Sequence, residues 1–383
     1  MSFRRSQLSI AALFGALGFQ YSTWASRIPA LADRLHLSPA EVGVLLLAAG
    51  VGAVISAPLV PRLMAALGSR RLALTAVLVL AAALAGLVTA PGYGLLLAVL
   101  LIDGVAVGCL NVAMNAQGAA LEQRSGRTTM ARLHATFSGG IFSAALLASA
   151  VTAVTASVAA HFAVAGAVLL AVTAAGPGLL ADDLPPTPRP AGRRRARPSG
   201  AVAGLGLAML LATITEGAVT DWSALYLEMV HAAEHLLPLG IAVISGTMLT
   251  ARLFADRWRD RWGDPTVVAA GTALAGAGLL TALLAGGVGP ALAGFACVGL
   301  GMAAVSPCLY VAAARHGPAA LTTAATMSTT GLLAGPPAIG FLAEAAGLRW
   351  ALTAVVGTAW LIVPCALLLR RRLLPERGES LVP

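Results

Sequence analysis

The sequence predicts an all-α membrane protein of twelve transmembrane helices, arranged as two pseudo-symmetric bundles of six. Three observations carry this reading. Charge is scarce: the 383 residues are 58% hydrophobic and 11% charged, with a mean hydropathy of +0.86, whereas a soluble domain carries roughly 25% charged residues. Charge also avoids whole stretches, since no Asp, Glu, Lys or Arg lies between Arg71 and Asp103 or between His134 and Asp182. Each gap can hold at least one span of the roughly 20 apolar residues that a bilayer core demands. Finally, the arginines gather on one side when the spans are threaded alternately through a membrane.

The apolar segments fall at 8–31, 40–66, 72–90, 94–121, 132–154 and 158–180, and then at 201–229, 236–256, 265–286, 290–314, 320–343 and 348–369. Between the two sets, 182–199 holds five prolines and the run Arg193-Arg194-Arg195-Ala196-Arg197. This composition predicts a solvated linker between bundles at 1–181 and 200–383. With the N-terminus inside, Arg62, Arg70, Arg71, Arg124, Arg132, the linker arginines, Arg252 to Arg261, Arg315 and Arg370 to Arg377 are all cytoplasmic. Arg27, Arg34 and Arg349 fall in the outer half or outside. This is the positive-inside pattern, with both chain ends in the cytoplasm. It accounts for the net charge of +9 without nucleic acid as a partner; the partner is the lipid bilayer.

The halves echo each other about 195 residues apart. Asp103-Gly104 aligns with Val298-Gly299, Gly139-Gly140 with Ala334-Gly335, and Gln20 falls near Glu216. Six plus six spans joined by a basic linker is the trace expected of an ancestral duplication. The four cysteines lie in apolar segments without metal-ligand spacing, so no cofactor or metal is expected. Enzyme chemistry finds no footing: His-Glu-x-x-His and Gly-x-Ser-x-Gly are absent, and a Walker sequence is impossible because the chain has no lysine.

Three stretches resemble the major facilitator superfamily. Ala251-Arg252-Leu253-Phe254-Ala255-Asp256-Arg257, followed by Trp262-Gly263, is similar to its loop motif; the first-half counterpart, Pro61-Arg62 through Arg70-Arg71, lacks the acidic residue. The segments 108–118 and 216–226, with Trp24-Ala25-Ser26-Arg27-Ile28-Pro29, resemble a poorly characterised bacterial inner-membrane subgroup distantly similar to the fucose–proton symporters. In those relatives the position of Asn111 is acidic, and an asparagine cannot carry a proton. The fifth span also lacks the Gly-Pro motif of drug–proton antiporters. The resemblance implies a secondary transporter in the bacterial cytoplasmic membrane. It would act as a monomer by alternating access, taking up a small polar metabolite with protons. Efflux of a drug or natural product is the alternative, and a sensor that binds without transport is the alternative from another class.

Ionisable groups at depth are functional candidates because they are costly there. By helical rise, Gln20 and Glu216 fall near the midplane of spans one and seven, Asp103 and Asn111 straddle that of span four, and Arg27 and Asp221 lie further outward. The resemblance implies that spans one, four, seven and ten line the central cavity. Glu216 is deepest and lacks an evident partner, so it is the expected proton-coupling carboxylate, with Asp103 and Asp221 as further candidates. Arg27 matches Asp103 in depth and either pairs with it or binds substrate. Asn111 and Asn115 suit hydroxyl recognition or interhelical bonding, and Trp24 and Trp222 suit ligand stacking or interfacial anchoring. Arg252, Asp256 and Arg257 are expected to form a gating charge cluster.

Overall fold

The computed structural model describes residues 3–126, 129–175 and 200–373. The linker at 182–199 and the arginines at 189–197 lie outside the described residues, as does Arg377. The chain enters as α1 (Phe3–Ala25), followed by a short α2 (Ile28–Leu35) and α3 (Pro39–Thr89). The first half closes with α4 (Tyr93–Ser125), α5 (Met130–Val154) and α6 (Val158–Ala175). The second half holds α7 (Gly200–Met229), a 3-10 turn (Glu234–Leu236), α8 (Leu239–Trp262) and α9 (Asp264–Ala285). It ends with α10 (Val288–Met302), α11 (Val305–Arg315), α12 (Pro318–Ala346) and α13 (Leu348–Leu373).

Among the described residues, nine helical segments are long and apolar enough to cross a bilayer. One of them, α3, is two spans. Gly52 packs against Leu101 and Gly104 of α4, and Gly86 packs against Val99 of the same helix. A straight helix would hold those glycines roughly 50 Å apart, whereas their partners on α4 lie within about 8 Å. The chain therefore reverses inside α3, at Gly68, whose φ of 74° and ψ of 164° leave the helical region. Only glycine adopts such a φ without steric cost. Counting α3 twice, joining α10 to α11, and adding the more polar α1 and α12 gives twelve spans.

Two predicted spans end differently. Span one stops at Ala25, where the chain breaks at Ser26–Arg27 and turns into α2 with a proline in its first turn; the sequence placed it as far as 31. Span ten breaks at Ala303–Ala304, just before Pro307, whereas Pro336 and Pro337 sit inside a continuous α12. The α3 entry is fixed by a capping box: Ser38 Oγ accepts from Glu41 N–H at 3.3 Å, and Ser38 N–H donates to Glu41 Oε2 at 2.9 Å. Ser38→Ala is expected to cost about 1 kcal/mol, read as a lower midpoint of thermal unfolding in detergent.

The echo between the halves is physical. A Cβ on Gly104 would strike the carbonyl of Ala49 at 1.9 Å, and one on Gly299 the carbonyl of Ile244 at 2.3 Å. Both members of the second pair lie 195 residues after those of the first. The halves meet along α3–α12 and α5–α8. The α3–α12 seam runs near the end of the bundle that carries α2, here called the α2 face; the opposite end carries the Gly68 reversal. At the seam, a Cβ on Gly43 would meet the Pro336 carbonyl at 3.0 Å, and one on Gly340 the Pro39 carbonyl at 2.6 Å. Close backbone approach through small residues replaces the hydrophobic drive that lipid removes.

Candidate functional site

Two consecutive residues of α1 each donate to a carboxylate on a different helix. Gln20, fully buried, gives its Nε2–H to Asp103 Oδ1 of α4 at 2.5 Å, and Asp103 is itself buried. Tyr21 donates its hydroxyl to Asp221 Oδ1 of α7. Successive helical residues point about 100° apart, so α1 directs one donor into its own half and the other across to the second. Glu216 lies five residues before Asp221, about 7.5 Å along α7, and is half-buried. Among the described residues its carboxylate has no hydrogen bond or salt bridge, although Arg252 lies within electrostatic reach.

Asp103 does not pair with Arg27. The guanidinium is buried but turns to α5, where Nη1 donates to Thr152 Oγ1 and Nη2 to the carbonyl of Ala156, both at 2.5 Å. The reason is the break after Ala25: Arg27 leaves the helical path that would have carried it over Asp103, and Gln20 takes the carboxylate. Near Arg27, within range for their charges to interact, lies His161 of α6, fully buried with both ring nitrogens unpartnered among the described residues. Sequence offered no signal for His161 beyond a lone imidazole in an apolar run, nor for Tyr21 beyond its place beside Gln20.

Asn111 is exposed, and Asn115 donates Nδ2–H to its carbonyl at 2.7 Å and to its Oδ1 at 3.1 Å. Both amides thus share one face of α4 with accessible surface. Trp24 and Trp222 are buried, 4% and 1% exposed, and their indole N–H groups have no partner among the described residues. In this conformation neither can stack on a ligand or anchor at an interface. Trp24 instead walls a small apolar void with Ile28, Leu45 and Leu100.

The expected charge cluster is built from other partners. Asp256 pairs with Arg259 at 3.2 Å, and Arg259 reaches Asp264 at 2.8 Å. Arg252 points across the halves, with Nη1 donating to Ser138 Oγ of α5 at 2.8 Å. Arg257 is exposed and makes neither salt bridge. An i,i+4 spacing puts Arg252 and Asp256 on one helix face, but the arginine finds its acceptor on the neighbouring helix. Among the described residues no metal-binding group of His, Cys, Asp or Glu assembles, and all four cysteines are free thiols.

The model of the Major Facilitator Superfamily matches residues 8–329. An uncharacterized transporter, y4wD, of Sinorhizobium fredii is 35% identical over 354 residues, covering 89% of this chain and 92% of that protein. The membrane protein MosC of Rhizobium meliloti is 32% identical over 364 residues, covering 94% and 88%. Among solved structures, a variant of the nucleoside transporter NupG superposes with a TM-score of 0.75 at 13% identity, covering 95% of this chain and 99% of the other. A bacterial homolog of the human lysosomal transporter Spinster, inward-facing and occupied, gives 0.74 at 14% identity, covering 95% and 96%. At such identities these structures establish a shared fold. A multi-pass membrane bundle, two halves related by internal repeat and the family match agree: the chain is a membrane transporter belonging to the Major Facilitator Superfamily.

Proposed function

We propose that this transporter carries a small polar metabolite across the bacterial cytoplasmic membrane together with protons, as a symporter working by alternating access. The moving units are 1–181 and 200–383, joined by the segment 182–199. The observation that carries the reading is Glu216, a half-buried carboxylate on a central helix with no hydrogen-bonding or salt-bridge partner among the described residues. Such a group is poised to take up and release a proton as its surroundings alternate. Asp103 and Asp221, each held by a neutral donor, are the reserve sites. The accessible amides of Asn111 and Asn115 suit a hydroxylated cargo. The arginine asymmetry supports placing the Gly68 end and both termini in the cytoplasm.

The test starts from a ligand found by thermal-shift screening of a metabolite library against the purified protein. Added to proteoliposomes holding a pH-sensitive dye, that ligand is expected to drive proton entry through the wild type, and Glu216→Gln to bind it while carrying no protons. Undiminished proton flux in the variant would overturn the assignment. A second reading rests on charge: among the described residues none of the three carboxylates makes a salt bridge. A cationic cargo exported in exchange for protons would satisfy them as well, and the direction of the dye response separates the two.

A further inference from the structure

The hydrogen bond from Tyr21 to Asp221 joins the halves through their first helices, α1 and α7. Of the other polar links between the halves, the Arg252–Ser138 bond from α8 to α5 ends on a neutral hydroxyl, and two more are long or exposed. Ala40 N–H reaches Glu344 at 3.5 Å, and Ser149 reaches the backbone carbonyl of His235, at an exposed position. The Tyr21 bond differs in kind. Its acceptor is a carboxylate only 7% exposed, and hydrogen bonds to ionised groups are shorter and stronger than neutral ones. Both residues lie in the part of their helices nearer the α2 face, where the chain is sealed by the Gly43–Gly340 seam.

We propose that the Tyr21 hydroxyl is an interdomain latch that masks Asp221 whenever the α2 face is sealed and uncovers it when that face opens. Parting the halves there moves α1 away from α7 and must break this bond. Asp221 is then a carboxylate that has lost its donor, one long turn from Glu216 on the same helix. Leaving it bare is costly, so the open state presents it to water, to a proton or to a donor group on arriving cargo. Tyr21 is a positioning residue: it decides in which conformation Asp221 can be used. The proposal rests on alternating access alone and is indifferent to which carboxylate carries the proton.

The test uses the full chain in nanodiscs, with the four native cysteines replaced and spin labels at Asp33→Cys on α2 and His231→Cys after α7, both exposed. With the latch intact, short separations dominate. Tyr21→Phe, which removes one oxygen, is expected to raise the widely separated population roughly tenfold, the effect of losing one charge-assisted bond. Carbodiimide modification of Asp221, mapped by mass spectrometry, is expected to rise with it while that of Asp103 stays constant. Should Tyr21→Phe fail to fold, Asp221→Asn weakens the same bond and shifts the same distances. Unchanged separations together with unchanged Asp221 modification would overturn the latch. Those outcomes involve neither cargo nor proton flux, so they leave the Glu216 reading untouched.

Discussion

Gly104→Val is expected to abolish transport and to remove most folded protein from the membrane. A Cβ at this position would lie 1.9 Å from the Ala49 carbonyl and 3.0 Å from the Ala53 amide. Both are backbone atoms of α3 and cannot rotate away. Overpacking a tight interior costs about 1–3 kcal/mol even when side chains can yield, and here two helices must separate instead. Gly52 faces the same contact from the other side, with its own Cβ position 2.1 Å from the Leu101 carbonyl, so no slack exists to absorb the shift. Gly104 also follows Asp103 in the chain, so displacing α4 pulls that carboxylate away from Gln20. Size-exclusion chromatography of a fluorescent fusion measures the fold, and flux in proteoliposomes measures the function. A monodisperse, active Gly104→Val protein would show that the α3–α4 contact is looser than this geometry.

Gln20→Leu is the second substitution with a large expected effect. The side chain is apolar and similar in size, so packing is largely kept while the donor to Asp103 disappears. A buried carboxylate deprived of its partner costs about 1–3 kcal/mol or more. The expected result is a thermal midpoint lowered by several degrees and a transport rate cut at least tenfold. Asp103→Asn keeps an acceptor oxygen opposite Gln20 and is expected to keep most of the stability. A Gln20→Leu protein as stable as Asp103→Asn would mean that the pair contributes little.

Span number and the two-half plan were legible in the sequence because a bilayer imposes length and apolarity on each helix, and both are one-dimensional properties. Depth along a helix is one-dimensional too, so the sequence could rank Gln20, Asp103, Glu216 and Asp221 by position along their spans. Pairing depends on direction around the helix and on where the helix stops. Arg27 and Asp103 were matched by depth, but Asp103 takes Gln20 as its donor, and beyond the break after Ala25 the guanidinium reaches Thr152. Arg252 and Asp256 share a helix face, yet Arg252 turns to Ser138 on α5 and Asp256 to Arg259 one turn further along α8. Tyr21 and His161 went unread because an aromatic or imidazole in an apolar run is ordinary; only their neighbours, Asp221 and Arg27, make them notable.

Where Gly43 and Gly340 cross, the seam between α3 and α12 is backbone against backbone, with neither residue presenting a side chain to the other. Parting the helices at that crossing frees no rotamers and re-forming it freezes none, so the crossing adds little to the entropy difference between closed and open states. Control over which state prevails therefore falls to the few polar links, and with it the means to set turnover by single-atom changes such as the Tyr21 oxygen.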